Sequence, residues 1–171
     1  MALIIQKYGG TSVADAVRVK EVAKRVLKYK NEGHDVIVVV SAPAGTTDSL
    51  IRRAYELSET PNKRELDMLL TSGEQISIAS LAIAIEALGK KAVSLNAFQV
   101  DFKTTDEHTK ATILNINTDI IREKLSEGNV VVFAGFQGIT ENNEITTLGR
   151  GGSDTTAVAL GAALKADEVE I

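Results

Sequence analysis

The 171-residue chain has no cysteine and no tryptophan, two histidines, two prolines and only 4% aromatic residues. Without cysteine, disulfides and thiolate chemistry are excluded, and the redox compartment is left unmarked. Neither His34 nor His108 has a second ligand at metal-site spacing, so no protein metal site is expected and both read as solvated surface residues. A net charge of −4 offers no basic field, which argues against nucleic acid or an anionic membrane as partner. The apolar start "MALII" breaks at Lys7, too short for a signal-peptide core, and no run reaches the roughly 18 apolar residues of a membrane span. A cytoplasmic protein is the expectation. Pro43 and Pro61 stand alone, with no repeat, low-complexity tract or linker, so the chain reads as one domain.

What is present is an alternation of two hydrophobic periods. Residues 2–8, 36–42, 92–97 and 130–136 read as strands, and 169–171 as the start of a fifth. The runs "VIVVVSA" and "VVVFAGF" are continuous and β-branched, as strands buried on both faces are. Between them, Val13, Ala16, Val17, Val19, Val22, Ala23, Val26 and Leu27 form a helical stripe, opened by the capping box "SVAD" and stopped at Gly33. A long helical stretch runs from Thr60 as N-cap, with Pro61 at the first helical position, to Gly89, interrupted at "SGE". Further helices run from Thr118 to Gly128 and from Ser153, as N-cap, through Lys165. Strands alternating with helices predict an α/β fold, a three-layer α/β/α sandwich with a mainly parallel sheet, whose special loops gather at the carboxyl ends of strands.

Those loops are unusual. "TLGRGGSDTTA" (147–157) crowds three glycines, an arginine and an aspartate ahead of an apolar helix. A plain turn is one reading; the other is an anion site, with backbone N–H groups, a helix N-terminus and the Arg150 fork converging. The Rossmann fingerprint fails, since the sixth place from Gly149 is Asp154 and the motif does not follow the first strand; a Walker A loop fails because Gly89-Lys90 is followed by Lys91.

In order, "KYGGTSV", "SAPAGTTD", "TSGEQIS", "AGFQG" and "TLGRGGSDTTA" resemble the aspartate kinases of the amino acid kinase superfamily over essentially the whole chain. The resemblance implies an enzyme that moves the γ-phosphoryl group of MgATP to the β-carboxylate of L-aspartate, the first step towards lysine, threonine and methionine. It assigns Lys7 and Asp154 as catalytic, Lys7 to the phosphates and Asp154 to orienting Lys7. Tyr8, Gly9, Gly10 and Ser41 fall on the ATP side. Thr47, Glu74, Arg150, Gly151, Gly152 and Ser153 fall on the substrate side, Glu74 for the ammonium and Arg150 for a carboxylate.

Each assignment has a structural alternative: a solvated lysine at a strand end, a capping box Ser72–Gln75 around Glu74, a first-turn carboxylate at Asp154, turn chemistry at Ser41 and Thr47. Magnesium is expected to arrive with ATP, bound through its phosphates. Members of the family continue beyond "ADEVEI" with the nucleotide-binding part and usually ACT regulatory domains. Residues 1–171 therefore read as the N-terminal, aspartate-binding part of the catalytic domain, incomplete at the C-terminus, with little kinase activity alone and an exposed sheet edge that favours a homo-oligomer. The alternatives are another superfamily member, acting on acetylglutamate or carbamate, and a non-catalytic amino-acid-binding or self-associating module.

Overall fold

The computed structural model describes residues 1–171. Its centre is a five-stranded sheet, and the continuous apolar runs explain which strands are innermost. Strands β1 (Leu3–Tyr8), β2 (Asp35–Val40), β3 (Ala92–Leu95), β6 (Val130–Ala134) and β9 (Glu168–Glu170) lie in the order β3-β6-β2-β1-β9, every pairing parallel. Val36 through Val40 and Val130 through Ala134 are all fully buried, because helices cover both faces of β2 and β6.

The period of two divides these residues between two cores. Val36, Val38 and Val40 pack with Val22, Val26, Leu81 and Ile85 of helices α1 (Ala16–Asn31) and α4 (Ser72–Ala87). Ile37 and Val39 pack on the other face with Ile121, Leu125, Ala157 and Leu160 of α5 (Asp119–Ser126) and α6 (Gly152–Leu164). Each such buried Val, Ile or Leu contributes roughly 1.5–3 kcal/mol of transfer free energy. The result is the three-layer α/β arrangement expected from the sequence.

A second sheet, which the periodicity did not announce, joins β4 (Phe102–Thr104), β5 (Ile113–Ile116), β7 (Gln137–Ile139) and β8 (Ile145–Thr147) in the order β5-β4-β7-β8. These strands are three or four residues long, too short for a readable alternation. Phe102 ties this sheet to the main one, its ring 5.8 Å from that of Phe133. Two further helices, α2 (Thr46–Leu57) and α3 (Lys63–Leu70), lie between β2 and α4 in sequence; α2 falls where the sequence suggested only a loop.

Several expected caps lie elsewhere. Asp15, not Ser12, caps α1 by accepting from the amide of Arg18, and residues 10–13 form a separate 3-10 turn. Val17, assigned to the apolar stripe, is exposed. Asn62, not Thr60, caps α3, accepting from Arg64 and Glu65, so Pro61 lies outside the helix. "SGE" does not interrupt: Thr71 is helical, the chain follows one 25-residue helical path over 63–87, and the Ser72 hydroxyl donates back to the Leu69 carbonyl rather than capping. That path is long and apolar enough to cross a membrane, and half of its most apolar stretch is buried in the fold; counting uninterrupted apolar residues missed it.

Candidate functional site

β1, β2 and β6 end side by side in the sheet, and each is followed by one of the glycine-bearing loops. There they open into a cleft of about 640 Å³. Lys7, Ser41, Thr47, Glu74 and Arg150 through Asp154 all line it, although the sequence spreads them over nearly the whole chain. A ligand at the carboxyl end of a parallel sheet is the general expectation for such folds.

Lys7 projects from the end of β1, its Nζ 2.8 Å from Asp154 Oδ1 in the first turn of α6. This ion pair orients the ammonium, whose three N–H donors leave capacity for another acceptor. Beside it the Ser41 hydroxyl donates to the Ser153 hydroxyl at 2.9 Å, joining the β2 loop to α6. Ser153 is therefore not the cap of α6; that place belongs to Gly151, whose φ of 73° lies in the left-handed region. Gly152 has a different reason, since a Cβ there would stand 2.8 Å from Phe136 Cδ2. With no side-chain cap, the amides of Ser153 and Asp154 find no acceptor within the chain, and the exposed guanidinium of Arg150 has no partner. The turn thus presents free donors and a free cation together, as an anion site requires.

Glu74 faces the cleft from the first turn of α4 and is buried. Its Oε1 accepts from the amide of Ala42 at 3.2 Å, and its Oε2 is buried with no partner. Burial pushes its carboxyl up to about 7, against the lowering effect of the backbone hydrogen bonds. A buried carboxylate oxygen with nothing to accept is costly, and a cationic ligand group would remove that cost.

Other residues are placed differently. Tyr8 packs its ring against the α1/α4 core and reaches Gln6 Oε1 at 3.5 Å, away from the cleft lining. Gly10 serves close packing, because a Cβ would meet the Ala42 carbonyl at 2.7 Å; Gly9 lies next to Lys7, and neither lines the cleft. His34 and His108 are not solvated surface residues. His34 Nδ1 accepts from the Ala2 amide, and His108 Nδ1 lies 2.8 Å from the buried Asp67.

The cleft also holds Phe136, which links β6 to β7 with φ 76°, an uncommon conformation for a bulky residue that costs of order 1–3 kcal/mol. Thr109 and Thr147 line it as well. Phe136 and Thr147 fall inside the quoted motifs "AGFQG" and "TLGRGGSDTTA" without being singled out there, and nothing in the sequence marked Thr109, since a loop folding back has no composition of its own. No group of three or more acidic or imidazole side chains is arranged to hold a metal.

Known proteins agree with this architecture. The profile of the amino acid kinase family matches residues 2–171. An aspartokinase of Geobacillus stearothermophilus is 55% identical over 171 residues, all of this chain and 42% of the relative, and aspartokinase 2 of Bacillus subtilis is 50% identical over the same share. The chain thus spans about two fifths of the length of these relatives. Among solved structures, aspartate kinase from Synechocystis superposes with a TM-score of 0.85 at 46% identity, covering 98% of this chain and 27% of that one. Aspartokinase III of E. coli, solved with aspartate and ADP, superposes equally well, 0.85 at 26% identity over 98% of this chain and 48% of that one. With the family's profile matched from residue 2 to the end and its fold reproduced, this chain belongs to the amino acid kinase family.

Proposed function

We propose that the chain forms the amino-acid-binding part of an aspartate kinase, in which the β-carboxylate of L-aspartate takes the γ-phosphoryl group of MgATP to give 4-phospho-L-aspartate and ADP. The observation that carries this reading is the cleft shared by a buried carboxylate with one unpartnered oxygen, Glu74 Oε2, and a partnerless guanidinium, Arg150. An α-amino acid offers the matching pair, an ammonium for Glu74 and a carboxylate for the Arg150 fork. Anchored so, its second carboxylate is directed towards Lys7.

Carboxylate oxygen attacks the γ-phosphorus while the bond to the bridging oxygen of ADP breaks, and charge spreads over the transferring oxygens. Lys7, held by Asp154, and the free amides at the start of α6 stabilise that charge from fixed positions. Ser41 lies on the nucleotide side and Thr47 on the amino-acid side. Magnesium travels on the nucleotide phosphates. The wall around the adenine is assigned to the remaining length of the relatives, so the 171-residue chain alone turns over little ATP. A cytoplasmic, homo-oligomeric enzyme at the head of lysine, threonine and methionine synthesis completes the proposal.

Calorimetric titration with L-aspartate and, separately, with MgATP tests it. Aspartate binding that disappears in Arg150→Ala is expected, with weak or absent MgATP binding. A folded chain that binds no aspartate overturns the substrate assignment, and steady ATP turnover abolished by Lys7→Ala overturns the division of labour.

A further inference from the structure

Asp67 is completely buried on α3, between the cleft-lining Leu66 and Leu70. Its carboxylate collects four donors from distant parts of the chain. The amide and hydroxyl of Thr147 lie at 3.1 and 2.7 Å, the amide of Thr109 bridges both oxygens at 3.0 and 3.1 Å, and His108 Nδ1 lies at 2.8 Å. A carboxylate only accepts, so His108 presents Nδ1–H. This is far more organisation than burying one helical residue requires, and Asp67 is not itself among the groups facing the cleft.

What it connects gives the reason. In one direction α3 runs without a break into α4, whose first turn carries Glu74. In the other, Thr147 ends β8 just before the Arg150 turn. Thr109, itself left-handed at φ 73°, lays its carbonyl against Gly149, 3.2 Å from where a Cβ would stand. The Asp67 carboxylate therefore fastens the element bearing the anionic anchor to the segment bearing the cationic one.

We propose that Asp67, with His108, is a positioning residue that fixes the separation of Glu74 from Arg150 and so makes the cleft selective for ligands carrying an ammonium and a carboxylate on one small frame. The inference rests on the reading of Glu74 and Arg150 as ligand anchors. Two anchors reinforce each other only when their spacing is set beforehand; otherwise each binding event must order the second element, and the advantage of holding both ends is lost. Replacing the carboxylate by an amide turns one acceptor into a donor facing donors, which loosens the frame without removing either anchor.

The experiment compares wild type, Asp67→Asn, His108→Ala and His108→Gln in the 171-residue chain, using L-aspartate and succinate, which has the same two carboxylates and no ammonium. In Asp67→Asn the preference for aspartate over succinate is expected to fall about tenfold while succinate affinity changes little, since only the coupling between anchors is lost. Amide exchange at Thr109 and Thr147, whose N–H groups bond Asp67, is expected to accelerate while Val38 and Val132 in the sheet stay protected. If Asp67→Asn does not fold, His108→Ala carries the same comparison with a smaller loss, restored by His108→Gln, which keeps an N–H donor.

Equal losses for aspartate and succinate indicate general structural damage and overturn the proposal. Unchanged exchange at Thr109 and Thr147 overturns it whatever the ligand data show. A wild-type chain that ignores aspartate sinks the anchor assignment and with it the selectivity; accelerated exchange would then support the fastening of the turn alone.

Discussion

The amide of Ala42 and the carboxylate of Glu74 meet across 32 positions of sequence, at 3.2 Å, while the second carboxylate oxygen is buried with no partner in the chain. The loop after β2 therefore holds Glu74 in place while its second oxygen stays available to a ligand.

Stability should fall as pH rises through this group's titration. Burial raises its folded-state carboxyl from 4.5 to about 7, so between those values the folded state keeps a proton that the unfolded chain has lost. The loss amounts to about 3 kcal/mol between pH 4.5 and 7, levelling above that. Urea unfolding at a series of pH values measures it, and Glu74→Gln should remove this component of the slope.

Aspartate affinity should show the opposite trend. An ammonium ligand needs the ionised carboxylate, so below pH 7 binding must expel a proton, and affinity should climb about tenfold per pH unit until it levels near 7. Calorimetry in two buffers of different ionisation enthalpy reports that proton directly. Binding at pH 6 with no proton released would show that Glu74 does not meet the ammonium.

Gly152→Ala should damage the site and the fold together. Its Cβ would meet Phe136 Cδ2 at 2.8 Å and Phe136 Cα at 3.1 Å, and the second of these cannot move aside by rotating a side chain. A destabilisation of about 1–3 kcal/mol follows from such overpacking, with the Arg150 turn displaced and aspartate binding weakened. Gly151→Asn, by contrast, should be tolerated better, because nothing lies near its Cβ and asparagine accepts left-handed backbone.

The cap of α3 can be tested without touching the cleft. Asn62→Ala should cost about 1 kcal/mol, because its side chain accepts from two amides of the first turn, whereas Thr60→Ala should be nearly neutral. Equal melting temperatures for the two variants would contradict the cap geometry.

Much of this molecule is written locally in its sequence. The β-branched runs at 36–40 and 130–134 specify innermost parallel strands because only burial on both faces accommodates them, and the stop at Gly33, with φ 92°, is a backbone requirement readable from residue type. Lys7, Glu74 and Arg150 stand out in the sequence through the motifs that carry the family resemblance, and the fold brings all three to one cleft. What the sequence could not decide is where distant segments meet. The left-handed Phe136, the short strands of the second sheet and the helix over 46–57 carry too little periodicity to read. Asp67 and His108 looked like ordinary polar residues until folding brought them to 2.8 Å, and the raised carboxyl of Glu74 exists only because α4, the β2 loop and the rest of the fold together exclude water from it. Local propensity sets the elements; desolvation and long-range hydrogen bonding, which depend on every neighbour at once, set the site.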